Sequence, residues 1–271
     1  MTNIPVGHNG TAALEVAIAS AREAGALARR RFYTAKEVAL KGPRDMVTDV
    51  DLAAERLIRH SLGMAFPELG VEGEEMGSAG AGELRWIVDP IDGTRNYAAG
   101  IPHFCICIGL ARGNDVLVGV TYDPMRDELF SAAKGLGAFL NGRPISASRK
   151  ATVRECILSF DISSVHPKAQ QAFALVGRLW PGMQSVRIMG SAALGLAYAA
   201  CGRVDLYFHH ALSPWDIASG LLLVREAGGQ VVDRVTGKPA GLSPRGLLAS
   251  SPSLLEEFMR LTREEEWYRE E

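Results

Sequence analysis

Trp86-Ile87-Val88-Asp89-Pro90-Ile91-Asp92-Gly93-Thr94 is the stretch whose reading decides the fold. Its opening apolar run reads as a strand, and the Pro-Ile-Asp-Gly-Thr segment that follows reads as a turn. Asp89 ends the strand, so its carboxylate emerges at a sheet edge; Asp92, three residues on, opens a helix. The two acids are thereby brought together with little nearby to neutralise them. Carboxylates that close share a proton or bind a cation. Free backbone N–H groups of Gly93 and Thr94 at the helix start make a phosphate site. Hard oxygen ligands beside such a start suit a phosphate bridged by hard cations.

Outward from this stretch the chain divides into two patterns. Upstream, Thr11 to about Phe32 has apolar residues at helical spacing (Leu14, Ile18, Ala21, Gly25, Ala28, Phe32) and closes on Arg29, Arg30 and Arg31, where cations suit the helix dipole. An extended Val38–Lys41 piece and a Gly42-Pro43 turn lead to a second helix near Val50–Met64, and Gly70–Gly73 is strand-like. Downstream, Phe104–Ala111, Val116–Tyr122 and Glu128–Ala132 form an antiparallel meander, with a further hairpin in Gly135–Pro144. The second half alternates strands (Ile157–Phe160, Ser185–Ile188, Val204–Phe208, Gln230–Val232) with helices (Pro167–Leu179, Ser191–Ala200, Pro214–Ala227). That alternation predicts an α/β layered arrangement. Leu254–Glu271 reads as an acidic surface helix, since residues 256–271 hold seven Glu against three Arg. No Pro/Ser-rich linker and no repeat divides the halves. Residues 1–271 are therefore expected to form one compact unit, an α+β N-terminal half (about 11–145) packed on an α/β C-terminal half (about 146–255).

Three other segments carry acids at junctions: Val47-Thr48-Asp49-Val50-Asp51, Gly73-Glu74-Glu75 and Ser213-Pro214-Trp215-Asp216. Taken singly, each has a plain structural role. Thr48 with Asp51, and Ser213 with Asp216, fit capping boxes, and Pro214 sits at the favoured first helical position. Glu74-Glu75 fits an exposed acid pair.

The remaining composition narrows the function classes. The 271 residues are 47% hydrophobic and 22% charged, ordinary for a globular protein and unlike disordered, collagenous or coiled-coil chains. Chains of this mass bury about 73% of their unfolded surface, so neither disulfides nor a structural metal is needed. Lys plus Arg number 29 against 31 Asp plus Glu, which leaves no basic excess to hold a nucleic-acid backbone. Cys105, Cys107, Cys156 and Cys201 form no CxxC pair, and His8, His60, His103, His166, His209 and His210 show no zinc spacing with them; they read as buried reduced thiols. MTNIPVGHNG has neither a basic nor an apolar signal region, and no run of about 18 apolar residues occurs, so a cytoplasmic protein without membrane contact is expected. The absence of GxxxxGK[ST] or GxGxxG after a strand excludes P-loop and dinucleotide enzymes.

Taken together, the motifs resemble those of the inositol monophosphatase family of metal-dependent, lithium-sensitive phosphatases. Its two signatures stand here as Trp86–Tyr97 and Pro214-Trp215-Asp216-Ile217-Ala218-Ser219-Gly220, and Val47-Thr48-x-x-Asp51, Gly73-Glu74-Glu75 and Gly190-Ser191-Ala192-Ala193-Leu194 follow in matching order and spacing. The resemblance covers about residues 11–255. It implies a layered αβαβα sandwich with the site between its halves, two to three Mg²⁺ ions and a homodimer. Carried over by position, Glu74, Asp89, the Ile91 carbonyl, Asp92 and Asp216 would hold metal. Thr94 and Asp51 would orient and deprotonate the attacking water, with Glu75 behind Glu74 because neighbouring strand residues face opposite ways. Gly93 and Thr94 N–H groups would hold phosphate. Lys41, Arg187, Ala192, Asp205 and His209 would line the substrate side.

His209 departs from the pattern, standing where the family has a glutamate that grips the inositol ring. The expected activity is hydrolysis of a small polyol or sugar phosphomonoester, inositol monophosphate foremost. Histidinol phosphate, fructose 1,6-bisphosphate and, on a nucleotide, adenosine bisphosphate 3′-phosphate are the alternative substrates. A non-enzymatic regulatory protein on the same fold would be expected to lack ligands that are all present here.

Overall fold

The computed structural model describes residues 4–8, 10–42, 45–80, 82–162 and 166–269; Pro43 of the expected Gly-Pro turn lies outside them. The chain opens with α1 (Ala13–Arg31), the hairpin β1 (Val38–Gly42) and β2 (Asp45–Thr48), and α2 (Asp49–Ala65). Next come β3 (Gly70–Gly73), β4 (Gly77–Ala79), β5 (Leu84–Asp92), α3 (Thr94–Ala99), β6 (Cys105–Arg112), β7 (Asp115–Asp123), β8 (Glu128–Ala133), β9 (Ala138–Leu140) and β10 (Arg143–Pro144). The second half runs β11 (Ile157–Phe160), α4 (His166–Leu179), β12 (Ser185–Arg187), α5 (Ala192–Ala200), β13 (Leu206–His209), α6 (Pro214–Glu226), β14 (Gln230–Asp233), β15 (Leu247–Ser250) and α7 (Pro252–Thr262).

Strands β3–β10 form one eight-stranded sheet in the order β10-β9-β8-β7-β6-β5-β3-β4, and β11–β15 a five-stranded sheet in the order β12-β11-β13-β15-β14. Strand parity sorts the core between them. Trp86 and Val88 of β5, with Ile106 and Ile108 of β6, pack under α1 and α2. Ile87, Cys105 and Cys107 point the other way, against α5 and α6. The far side of those two helices meets Tyr207 and Ala249 of the second sheet, whose outer face (Leu158, Phe160, Phe208, Leu248) is covered by α4 and α7. The layers are therefore αβαβα, as expected. Among the described residues no helix is long and apolar enough to cross a membrane.

The same parity aims the acids. Asp89 shares the face of Ile87 and Cys107, so its side chain is directed toward α6 rather than α1. Glycine pairing brings α6 within reach. Gly109 and Gly119 are partners across β6 and β7, and a Cβ on Gly119 would fall 2.8 Å from the Ser219 carbonyl oxygen. Thr121 and Ser219 hydroxyls then bond at 2.8 Å. The helix lies directly on the sheet, which fixes its N-terminal Asp216 beside the end of β5.

Three expectations change. Asp92 closes β5 after an irregularity in the ladder instead of opening a helix, and Gly93 caps α3 with φ +94°. A side chain there would meet the His103 and Gly190 carbonyls, so the turn needs glycine. Leu254–Glu271 is not one surface helix. It comprises α7 and a 3₁₀ turn (Glu266–Tyr268), with Leu254, Leu255, Phe258 and Trp267 buried; Glu270 and Glu271 lie outside the described residues. Its apolar residues cover the second sheet, an attraction that the run of Glu obscured. Finally, β4, at one edge of the first sheet, and β15, between β13 and β14 in the second, are strands that local pattern did not signal. The cysteines are free, three of them buried.

Candidate metal and phosphate site

Two capping boxes and one irregular strand end supply the site. At the start of α2, Thr48 N–H donates to Asp51 Oδ2 (3.0 Å), and the Thr48 hydroxyl accepts the Val50 N–H (3.2 Å). At the start of α6, Ser213 N–H donates to Asp216 Oδ2 (2.7 Å). Each cap spends one carboxylate oxygen and fixes where the other points. Asp51 Oδ1 lies 3.1 Å from the Thr94 hydroxyl, which also sits 2.9 Å from the Ile91 carbonyl. Burial pushes Asp51 up to about 6, against the opposing pull of its Thr48 and Thr94 hydrogen bonds. An acid titrating near neutrality is matched to accept a proton.

Asp89, Asp92 and Asp216 offer carboxylate oxygens that all lie within 4.8 Å of one another. Asp89 Oδ1 accepts the Ile91 N–H (3.0 Å); Asp92 Oδ2 accepts the Ala193 N–H (2.9 Å) and the Ser191 hydroxyl, joining β5 to α5. No described Lys or Arg forms an ion pair with any of the three. Burial, then the charges of Glu74 and Asp92, holds Asp89 well above the carboxylate range; burial, then Asp92, does the same to Asp216; burial raises Asp92 to about 6. Desolvated like charges at this spacing, with oxygen donors only, fit a hard divalent cation.

Glu74 and Glu75 stand apart from that trio. Residues 74–76 form a turn after β3, so strand alternation does not separate the pair: both carboxylates reach Lys41 Nζ, at 2.7 and 2.9 Å. Burial lowers Lys41, but those two acids more than offset it and its pKa rises. Burial brings Glu75 up to about 7 against the pull of Lys41. The turn itself hangs on Glu55, a buried α2 residue that accepts the Glu75 N–H (2.8 Å) and Met76 N–H (3.2 Å). Glu55 was not singled out in the sequence, where it reads as one more helical acid paired i,i+4 with Arg59.

A cleft of about 380 Å³ opens over the cluster, lined by Asp92, Gly93, Thr94, Ala192, His209 and Asp216 among others. Two anticipated substrate residues lie elsewhere. Asp205 precedes β13 and is buried on the far end of that strand, bonded to Ser148 Oγ (2.5 Å), Lys150 Nζ (2.9 Å) and Ile157 N–H (2.6 Å). His209 ends the same strand, and a four-residue strand carries the two roughly 13 Å apart. Arg187 is exposed and folds back on Ser185 and Val186. Conversely, Asp161 lines the cleft and was missed. Its Oδ1 accepts the Met189 and Gly190 N–H groups (2.9 and 2.6 Å) and its Oδ2 the Tyr207 hydroxyl (3.1 Å). The available signal was an acid closing the apolar Ile157–Phe160 strand, the same placement as Asp89. Asn96 Nδ2, bonded to the His103 and Met189 carbonyls (both 2.8 Å), ties α3 to that loop.

The model of the inositol monophosphatase family matches residues 11–266. This chain belongs to that family. It is 38% identical over 262 residues to inositol monophosphatase 2 of Solanum lycopersicum, covering 93% of this chain and 98% of that protein. It is 39% identical over 224 residues to Nus factor SuhB of Xylella fastidiosa, covering 82% of each. Among solved structures, the Thermotoga maritima IMPase superposes with a TM-score of 0.86 at 34% identity, over 93% of this chain and 96% of that one. SuhB from Bartonella henselae gives 0.88 at 33% identity, over 92% and 98%. Family membership implies a phosphatase.

Proposed function

We propose that this chain is a Mg²⁺-dependent phosphomonoesterase acting on a small polyol or sugar phosphate, with inositol monophosphate the first ester to assay. The observation that carries the reading is the unpaired carboxylate trio Asp89, Asp92 and Asp216, set beside the Thr94–Asp51 pair. Glu74, the Ile91 carbonyl and the trio would hold two to three ions. When bound, such ions make water nucleophilic near neutral pH and stabilise a leaving oxygen.

The chain's own groups supply the rest. Thr94 holds its hydroxyl against Asp51, so a water donating to Thr94 is oriented and passes its proton along to the Asp51 carboxylate, whose raised pKa suits it to receive one. Gly93 and Thr94 line the cleft at the start of α3, and their backbone N–H groups would donate to a phosphate oxygen there. Lys41 holds Glu74 and Glu75 in place and would release Glu74 as a cation takes over its charge. Asp161 and Asn96 keep the Met189–Gly190 loop against α3. The reading includes a homodimer, for which exposed Phe173 and Trp180 supply apolar surface, and analytical ultracentrifugation should return a dimer mass.

Phosphate release from myo-inositol 1-phosphate, with Mg²⁺ and with EDTA, tests the assignment. Release that needs Mg²⁺ supports it. A rate that EDTA leaves unchanged contradicts it.

A further inference from the structure

Two side chains that line the cleft, His209 and Arg95, offer hydrogen-bond donors that no other group among the described residues takes up. His209 closes β13, is buried, and lines the cleft. Its Nδ1 faces the Ala211 backbone N–H at 3.2 Å. A peptide N–H can only donate, so Nδ1 must present its lone pair and the ring proton must reside on Nε2. Burial drives His209 down to about 4, so the ring is neutral at pH 7 and keeps this single tautomer. Nε2 has no protein partner among the described residues. It is therefore an N–H donor available to a ligand.

Arg95 adds a second donor. It is exposed at the wall of the same cleft, and its guanidinium makes no hydrogen bond or ion pair among the described residues. Of the acids nearby, Asp161 has three donors already, and Asp45 leans on Lys41 at 3.7 Å. Ile162 and Ile188 add apolar surface to the same cleft.

Given the phosphatase reading, on which this rests, we infer that the cleft selects phosphomonoesters whose non-reacting end carries an anionic acceptor, a carboxylate or a second phosphate, received by His209 Nε2–H and Arg95. A ring bearing only hydroxyls satisfies this wall less well, because its anion-binding donors go unused. The Nε2 tautomer and the guanidinium together act as the specificity determinant; neither touches the metal-binding acids.

Three esters separate the cases: myo-inositol 1-phosphate (hydroxyls only), 6-phosphogluconate (carboxylate) and fructose 1,6-bisphosphate (phosphate). Their kcat/KM values would be compared in the wild type and in His209→Glu and Arg95→Ala variants. The wild type should favour at least one anionic ester by about tenfold or more, and which one identifies the acceptor. His209→Glu should collapse that ratio, and Arg95→Ala, at an exposed position that does not threaten the fold, should erode it mainly through KM. Imidazole ¹⁵N spectra should show His209 protonated on Nε2 at neutral pH, with that resonance shifting as 6-phosphogluconate is added. Preference for inositol 1-phosphate, an unchanged ratio in both variants, a proton on Nδ1, or no shift on titration would each overturn the inference. A shift without phosphate release from any ester would uphold the recognition and remove only the hydrolase reading.

Discussion

The starts of α2 and α6 use the same local device and end in different chemistry. Each has a hydroxyl residue at the cap and an aspartate at the third helical position whose carboxylate takes the cap's own N–H. At α2 the spare oxygen of Asp51 meets a hydroxyl, and the acid is raised to about 6. At α6 the carboxylate of Asp216 meets two further carboxylates, and burial with the charge of Asp92 holds it well above the carboxylate range. The difference arises from what the sheet delivers: Thr94 to one helix start, the end of β5 to the other. Capping and function are not rival explanations here, since the cap is what points the second oxygen.

Four experiments press on that contrast. Asp216→Asn keeps a competent cap but removes one charge from the trio, so Mg²⁺-dependent turnover should fall by at least about 10³-fold while the fold persists. Near-normal turnover at saturating Mg²⁺ would sink the assignment. Asp51→Asn also keeps its cap and should cost on the order of 10²-fold in kcat with Mg²⁺ binding intact, because it removes only the proton acceptor. Equal loss of metal binding in both variants would erase the distinction between the two helices.

A third experiment uses pH. Asp92 titrates at about 6 when folded and 3.8 otherwise, with Asp89 and Asp216 raised in the same sense. Between those values the folded chain holds protons that the unfolded chain has lost. The trio's contribution to the stability of the metal-free protein is thus full below about pH 4 and is lost as pH rises through about 6. Relative to Asp216→Asn, the wild-type Tm should drop by roughly 5 °C between about pH 4 and 7, and Mg²⁺ should restore it. A flat difference would show that the trio is not desolvated. The smallest effect should come from Thr48→Ala, which deletes the hydroxyl that accepts Val50 N–H and costs about 1 kcal/mol, with activity reduced only as Asp51 loosens.

Much of the site was legible because its acids lie at junctions that local rules describe: strand end, cap, cap. Element types in the second half followed from alternation, and the trio followed from the family motifs. What escaped was set by non-local geometry. Counting along β13 cannot tell which end faces the cleft, so Asp205 was placed with His209 although the strand separates them. Parity was applied to Glu75, but Glu55, twenty residues earlier, bends residues 74–76 into a turn. Asp161 escaped because the groups that donate to it, on Met189, Gly190 and Tyr207, come from other elements. The pairing of Gly109 with Gly119 under Ser219, which seats α6, has no local signature.

Calorimetric titration of Mg²⁺ into the metal-free protein near pH 7, repeated in buffers of different ionisation heat, tests the central claim that Asp89, Asp92 and Asp216 are desolvated acids awaiting a cation. Binding should occur with net proton release in the wild type, since the trio holds protons that the ion displaces, and both should vanish in Asp216→Asn. Absence of binding in the wild type, or undiminished binding and proton release in the variant, would contradict the account.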